Sequence, residues 1–299
     1  MISIQLFLVS IVSAFLCFEI YLRVFPSDSL FDVLIESDLT KHENVKKIVE
    51  LIKSPFIELD ELCIDENKCV LQETLLSFII GQDGNNLLLI STLIDHGVNI
   101  ELADMHHQTP IMVAANMGYT EIVLYLIGRG ALINKKNDQG ATAIMGSTQF
   151  GHLEVTQLLI DAGANIEEYN DKSNPLINAC KIGSIDIVKL LIDKGANIHV
   201  TNKAGSTPLM YASIGGHIEV VNLLLTSGVD VNIKTKIGTA EVTALMASCQ
   251  TNQLETVKLL IKAGALINDK DGNGNTSLKY AAHAGHSSIV DYLLSKHAV

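Results

Sequence analysis

Six glycines, Gly97, Gly130, Gly163, Gly195, Gly228 and Gly264, recur at intervals of 33, 33, 32, 33 and 36 residues. Each sits in a near-copy of one phrase: LIDHGVNI, LIGRGALI, LIDAGANI, LIDKGANI, LLTSGVDV and LIKAGALI. A fixed period in this range marks a stack of like units, none of which can bury its apolar face alone. The repeat runs over residues 71–299 of a 299-residue chain, so most of the protein is one elongated array. A composition of 48% hydrophobic and 18% charged residues agrees, because every unit shares apolar faces with two neighbours.

One unit shows the local logic. Thr142 stands where a side-chain oxygen caps a first helix, and the next position is Pro110, Pro175 or Pro208 in sister units. Proline at the first helical position loses no hydrogen bond, since its missing N–H had no partner in the helix. Nine residues on comes Gly151, matched by Gly118, Gly183, Gly216 and Gly285, with Asn252 in the sixth unit. Glycine and asparagine take the left-handed conformation that ends a helix. A second helix follows, with Val155, Leu159 and Ile160, like Ile122, Leu126 and Ile127, spaced as one inward stripe. Beyond its closing glycine, polar segments such as Asp138-Gln139-Gly140 predict an extended turn before the next unit.

The motifs Thr109-Pro110-Ile111, Ala114-Ala115, Thr207-Pro208-Leu209, Gly151-His152, Gly216-His217 and Gly285-His286 carry a resemblance to the ankyrin-repeat family. It covers about three quarters of the chain and implies a mainly α fold. The expected architecture is a solenoid of stacked helix-turn-helix units joined by extended β-turn loops. Seven units open at Thr74, Thr109, Thr142, Asn174, Thr207, Thr243 and Thr276. One departure is systematic: where the family often has His after Thr-Pro-Leu, this chain has Met112, Met145, Ile177, Met210, Met246 and Lys279. Methionine packing is expected to replace the hydrogen bond ascribed to that His, and Lys279 to face outward. The sixth unit carries a three-residue insertion around residues 236–242, either an added contact or a neutral surface insertion.

Residues 25–70 read as an N-terminal cap, with Val45, Ile48, Val49 and Ile52 on one helical face. Residues 1–24 form a separate hydrophobic segment. Residues 2–22 are apolar enough to cross a bilayer, and Arg23 behind them favours a membrane-associated chain with a cytoplasmic repeat domain. Two other readings stand: a cleaved signal peptide of a secreted protein, and a buried helix. The sequon Asn275-Thr276-Ser277 separates anchor from export, because a glycan there requires entry into a secretory pathway.

A net charge of -12 excludes a nucleic-acid binder, which needs a basic stripe. Five cysteines are no disulfide framework; Cys180 and Cys249 are expected to be buried free thiols, with Cys63 and Cys69 close enough in sequence to pair. His106-His107 lacks further ligands at metal spacing, and His152, His217 and His286 recur with the repeat, which points to structural bonds. No phosphate loop or nucleophile motif appears, so the expectation is no enzyme, no cofactor and no metal.

What remains is a surface. The resemblance implies that a partner protein meets the turn tips and the exposed side of the first helices, with the chain a monomer. The tips supply Met105, His106, Gln139 and Lys203; the first helices supply Met117, Phe150, Lys181, Ile182, Ile214, Gln250 and His283. Met117, Phe150, Ile182 and Ile214 are expected to form an apolar strip across four units. The expected function is a non-catalytic interaction module tethered at a membrane; the alternatives are an exported binder and a regulatory subunit that masks an enzyme.

Overall fold

The computed structural model describes residues 86–104, 106–237 and 240–299, together with 46, 76–77 and 79–81. The hydrophobic segment of residues 1–24, the cap helix apart from Lys46, the Cys63–Cys69 pair, Thr74 and Met105 lie outside the described residues.

Residues 76–77 and 79–81 are helical and precede α1 (Leu87–Asp95). Five helix pairs then follow: α2 (Pro110–Met117) with α3 (Thr120–Gly128), α4 (Ala143–Phe150) with α5 (Leu153–Asp161), α6 (Pro175–Ile182) with α7 (Ile185–Asp193), α8 (Pro208–Gly215) with α9 (Ile218–Thr226), and α10 (Ala244–Gln250) with α11 (Leu254–Lys262). The last pair is α12 (Ser277–His283) with α13 (Ser287–Ser295). First helices α2, α4, α6, α8, α10 and α12 pack on one another in sequence, and second helices form a more loosely touching row behind them.

Each first helix is short because its ends are fixed. Proline occupies the first position of α2, α6 and α8. Gly118, Gly151, Gly183 and Gly216 end α2, α4, α6 and α8 in the left-handed conformation, and Asn252 takes the same region at φ 61° in the sixth unit. The expected threonine caps divide. Asn174, Thr207 and Thr243 accept from the backbone N–H three residues on, whereas Thr109 and Thr142 make no such bond and bury hydroxyls without a partner. Thr276 instead donates its hydroxyl to the Val299 carbonyl, 3.2 Å away. At these three positions the extended backbone starts the helix without the side chain's help.

Burial follows the predicted stripe. Ile122, Leu126, Val155 and Leu159 are fully enclosed, while Ile127 and Ile160 are only half-buried at the edge of the second-helix row. Met112, Met145, Ile177, Met210 and Met246 are all buried, and Thr235 Oγ1 lies 2.6 Å from Met210 Sδ. Methionine thus fills the family's histidine position, and Lys279 is exposed as expected. The core forms two clusters, one from Leu76 to Ala164 and one from Leu176 to Ala298, joined by Ile160 and Ile166. Between them α6 is tied to α4 by Asn178 Nδ2, which donates to the Met145 carbonyl at 3.0 Å.

The loops are built from one recurrent turn. Asp104, Asn137, Asn202 and Asp271 each accept from backbone N–H groups two and four residues on; Asn170 does so two and three residues on. In the sixth unit the insertion replaces this turn by a hairpin of β1 (Thr235–Ile237) and β2 (Ala240–Val242), antiparallel with Thr235 opposite Val242.

Candidate functional site

The predicted partner residues fall into two groups at opposite ends of the first helices. His106, Gln139 and Lys203 stand in turns that precede helix N-termini. Met117, Phe150, Lys181, Ile182, Gln250 and His283 stand in the last two positions at C-termini, and Ile214 is one residue from the end of α8. Eight residues of α-helix at about 1.5 Å each separate the groups by roughly 12 Å. Met105 lies outside the described residues.

At the C-terminal end, Met117 is 44% exposed, Phe150 55%, Ile182 40% and Ile214 37%, against a core in which equivalent-sized side chains are fully enclosed. Met117, Phe150 and Ile182 share one register, eight residues after the unit's opening residue; Ile214 sits one position earlier, because Gly215 holds that register in the fifth unit. Ile182 leans across the boundary toward Gly151, whose missing Cβ would sit 3.2 Å from Ile182 Cδ1. Phe150 and His152 rings lie 6.4 Å apart.

Beneath this strip runs a row of inter-unit bonds that position it. His152 Nε2 is 2.9 Å from the Asn116 carbonyl, His217 Nε2 is 3.1 Å from that of Lys181, and His286 Nε2 is 3.1 Å from that of Gln250. Gln253 replaces the imidazole in the sixth unit and reaches the Ile214 carbonyl at 3.3 Å. These histidines are therefore structural, and their carbonyl partners belong to the residues that carry or flank the strip.

The tips hold few free groups. Lys203 Nζ donates to Asp171 at 2.8 Å, which raises the pKa of its ammonium, and His107 Nδ1 lies 2.7 Å from Asp138. His106 and Gln139 are exposed. Among the described residues no cluster of His, Cys, Asp and Glu is arranged to hold a metal. Cys180 and Cys249 are free and buried, and burial pushes the Cys249 thiol up to about 12 and that of Cys180 higher still.

The sequence model described as Ankyrin repeats (3 copies) matches residues 41–137, 76–170, 144–235 and 235–299. The chain belongs to the ankyrin-repeat family.

The crystal structure of the human ASB11 ankyrin repeat domain is similar, with a TM-score of 0.67 and 25% identity, covering 74% of this chain and 96% of that one. The Notch-regulated ankyrin repeat-containing protein of Xenopus tropicalis is 46% identical over 54 residues, 18% of this chain and 47% of that protein. Mouse Protein phosphatase 1 regulatory subunit 27 is 28% identical over 116 residues, 39% of this chain and 67% of that protein. The chain thus spans about half the length of the Notch-regulated ankyrin repeat-containing protein. Ankyrin repeats imply a protein-interaction scaffold.

Two exposed apolar side chains close to the strip in this ankyrin-repeat chain were missed by sequence reasoning. Leu153 and Ile218 open α5 and α9 and are 39% and 44% exposed, directly after the helix-ending Gly-His pairs. Their signal was present, since an apolar residue after Gly-His lies outside the inward stripe of Val155 and Leu159. Among the described residues no helix is long and apolar enough to cross a membrane.

Proposed function

We propose that the chain is a non-catalytic adaptor that captures a partner protein on the strip of Met117, Phe150, Ile182 and Ile214, flanked by Lys181, Gln250 and His283. In this reading residues 2–22 hold it, as a monomer, at a membrane with the repeats on the cytoplasmic side. The observation that carries the binding surface is the row of exposed apolar side chains across adjacent units, where the helices behind are rigidly stacked. Large apolar side chains aligned on a rigid ledge are the usual energetic centre of an interface. The tips with His106, Gln139 and Lys203 are a separate, polar contact zone in this proposal.

The test is Phe150→Asp combined with Ile182→Asp. Both positions are exposed, so helical circular dichroism and melting stay near wild type while capture of the partner is lost. Retained capture, or an unfolded variant, removes the strip as the binding surface. The anchor is tested separately by deleting residues 2–22: the protein moves from the membrane pellet to the supernatant if they tether it, and an N-terminus beginning beyond this segment in the mature chain supports export instead.

A second reading, a regulatory subunit masking an enzyme, is favoured by the likeness to Protein phosphatase 1 regulatory subunit 27. Capture followed by an activity assay of the captured protein decides it, inhibition by the full chain being the supporting result.

A further inference from the structure

The strip has a charged margin. The second residue of the second helix is acidic in five successive units: Glu121, Glu154, Asp186, Glu219 and Glu255, all exposed. A carboxylate in the first turn complements the positive helix end, which accounts for one acid per helix. Their alignment has a further effect. Only Gly151, His152 and Leu153 separate Phe150 from Glu154, and the same short connection joins Met117 to Glu121 and Ile182 to Asp186. Each of these acids thus follows its strip residue by one short turn of chain. Thr120 Oγ1 donates to Glu154 Oε2 at 3.3 Å across a unit boundary, so the margin is continuous there.

Several of the cations that could neutralise it are engaged elsewhere, while Lys181 and Lys189 stand close to it in the sequence. Lys135, Lys136, Lys194, Lys203 and Lys234 each pair with a carboxylate of a neighbouring unit at the loop side of the stack. On the margin, Lys258 pairs with Glu255. Among the described residues Glu121, Glu154, Asp186 and Glu219 form no ion pair; Lys181 is the one cation in the strip's own set, and Lys189 follows Asp186 by three residues on α7. Packed helices are about 8–10 Å apart, close to the Debye length of about 8 Å at physiological salt. Neighbouring carboxylates are therefore partly screened from one another at physiological salt and act together more strongly as salt falls.

We propose that the occupant of the strip is an extended, cationic segment of a partner protein, with an apolar side chain at every third residue. Its Lys or Arg side chains lie over Glu121, Glu154, Asp186 and Glu219. The inference rests on the strip being the binding surface, as proposed above. The spacing follows from geometry: polyproline II has three residues per turn and rises about 3.1 Å per residue, so every third side chain returns to one face after about 9 Å, one layer of the stack. Nucleic acid, an anionic bilayer and an acidic segment are all repelled by the same margin.

The experiment uses the full chain and two fluorescein-labelled peptides, one of repeated Leu-Lys-Lys triplets and one of repeated Leu-Glu-Glu triplets, with fluorescence anisotropy as readout. The basic peptide binds, and its affinity falls at least tenfold between about 0.05 and about 0.5 M salt. Combining Glu121→Gln, Glu154→Gln, Asp186→Gln and Glu219→Gln weakens it at least tenfold with the helical circular dichroism retained. Should charge neutralisation at four helix starts unfold the chain, the salt dependence and the peptide pair still decide. Equal binding of both peptides, salt-independent binding, or undiminished binding by the neutralised variant overturns the inference. If Phe150→Asp with Ile182→Asp abolishes capture of the cellular partner while neither peptide binds wild type, the adaptor reading stands and this inference falls.

Discussion

His152 bonds to the Asn116 carbonyl of the preceding unit, and Gly118 is the residue that lets it pass: a Cβ on Gly118 would lie 2.5 Å from His152 Nδ1. The helix-ending glycine therefore has two duties, a left-handed backbone at φ 75° and a clear path for the next unit's imidazole. Gly183 stands in the same relation to His217, and Gly216 to Gln253.

A comparison of glycines separates these duties. Gly163→Ala meets nothing within 4 Å and carries only the left-handed strain of about 1–2 kcal/mol. Gly118→Ala adds displacement of His152 and loss of its inter-unit bond, itself about 0.5–1.5 kcal/mol. Urea unfolding should show Gly118→Ala as the more destabilised of the two; equal midpoints would contradict the second duty.

Stability resides in the shared faces. Leu159 is fully enclosed in the second-helix row, so Leu159→Ala should destabilise by about 2–5 kcal/mol. Leu124, exposed on the outer surface, offers the control: Leu124→Ala should change stability by less than about 0.5 kcal/mol in the same measurement.

Acid sensitivity should arise in the final loop. Desolvation pushes the Asp271 carboxyl upward, but hydrogen bonds from Asn275, Tyr280 and Asn273 outweigh it and hold the pKa at about 2, below the ordinary 3.8. The same contact, after burial, raises the Tyr280 hydroxyl to about 12. A depressed carboxyl contributes stability that is present above about pH 4 and lost as pH falls toward 2. Asp271→Asn should lower stability at neutral pH and flatten the profile across that window, read by thermal melts at stepped pH.

The two thiols should be silent in the folded chain. Burial disfavours the thiolates of Cys180 and Cys249, so a disulfide exchange reagent should label neither at pH 8 without denaturant, and both in urea. Rapid labelling of the native protein at Cys180 or Cys249, located by peptide mapping, would contradict their enclosure.

The sequon Asn275-Thr276-Ser277 has a structural cost as an export marker. Asn275 Nδ2 donates to Asp271 Oδ2 at 3.0 Å, and Thr276 is buried beside it. A glycan there should therefore lower the melting temperature, since it crowds the Asn275 amide where it donates to Asp271.

Much of the fold was written along the chain. The period of the glycines, the prolines at helix starts and the apolar spacing of Val155 and Leu159 are local properties, and local geometry obeys them: backbone conformation at Gly151 and Asn252 depends on little beyond the residue itself. Exposure of Met117, Phe150 and Ile182 was legible for the same reason, since they fall outside the inward stripe. Other features depend on what a neighbouring unit brings. Whether a threonine hydroxyl caps its helix, as at Thr207 but not at Thr142, is decided only in the folded structure, since both residues have the same extended backbone. Only the stacked structure aligns Glu121, Glu154, Asp186 and Glu219 across successive units while Lys135, Lys136, Lys194, Lys203 and Lys234 pair between units at the loop side, and only it sets the tips a helix length away from the strip. Sequence alone fixes each unit because the information is contained within some thirty residues; the surface is a tertiary property because it is assembled from side chains that meet only after the units have packed.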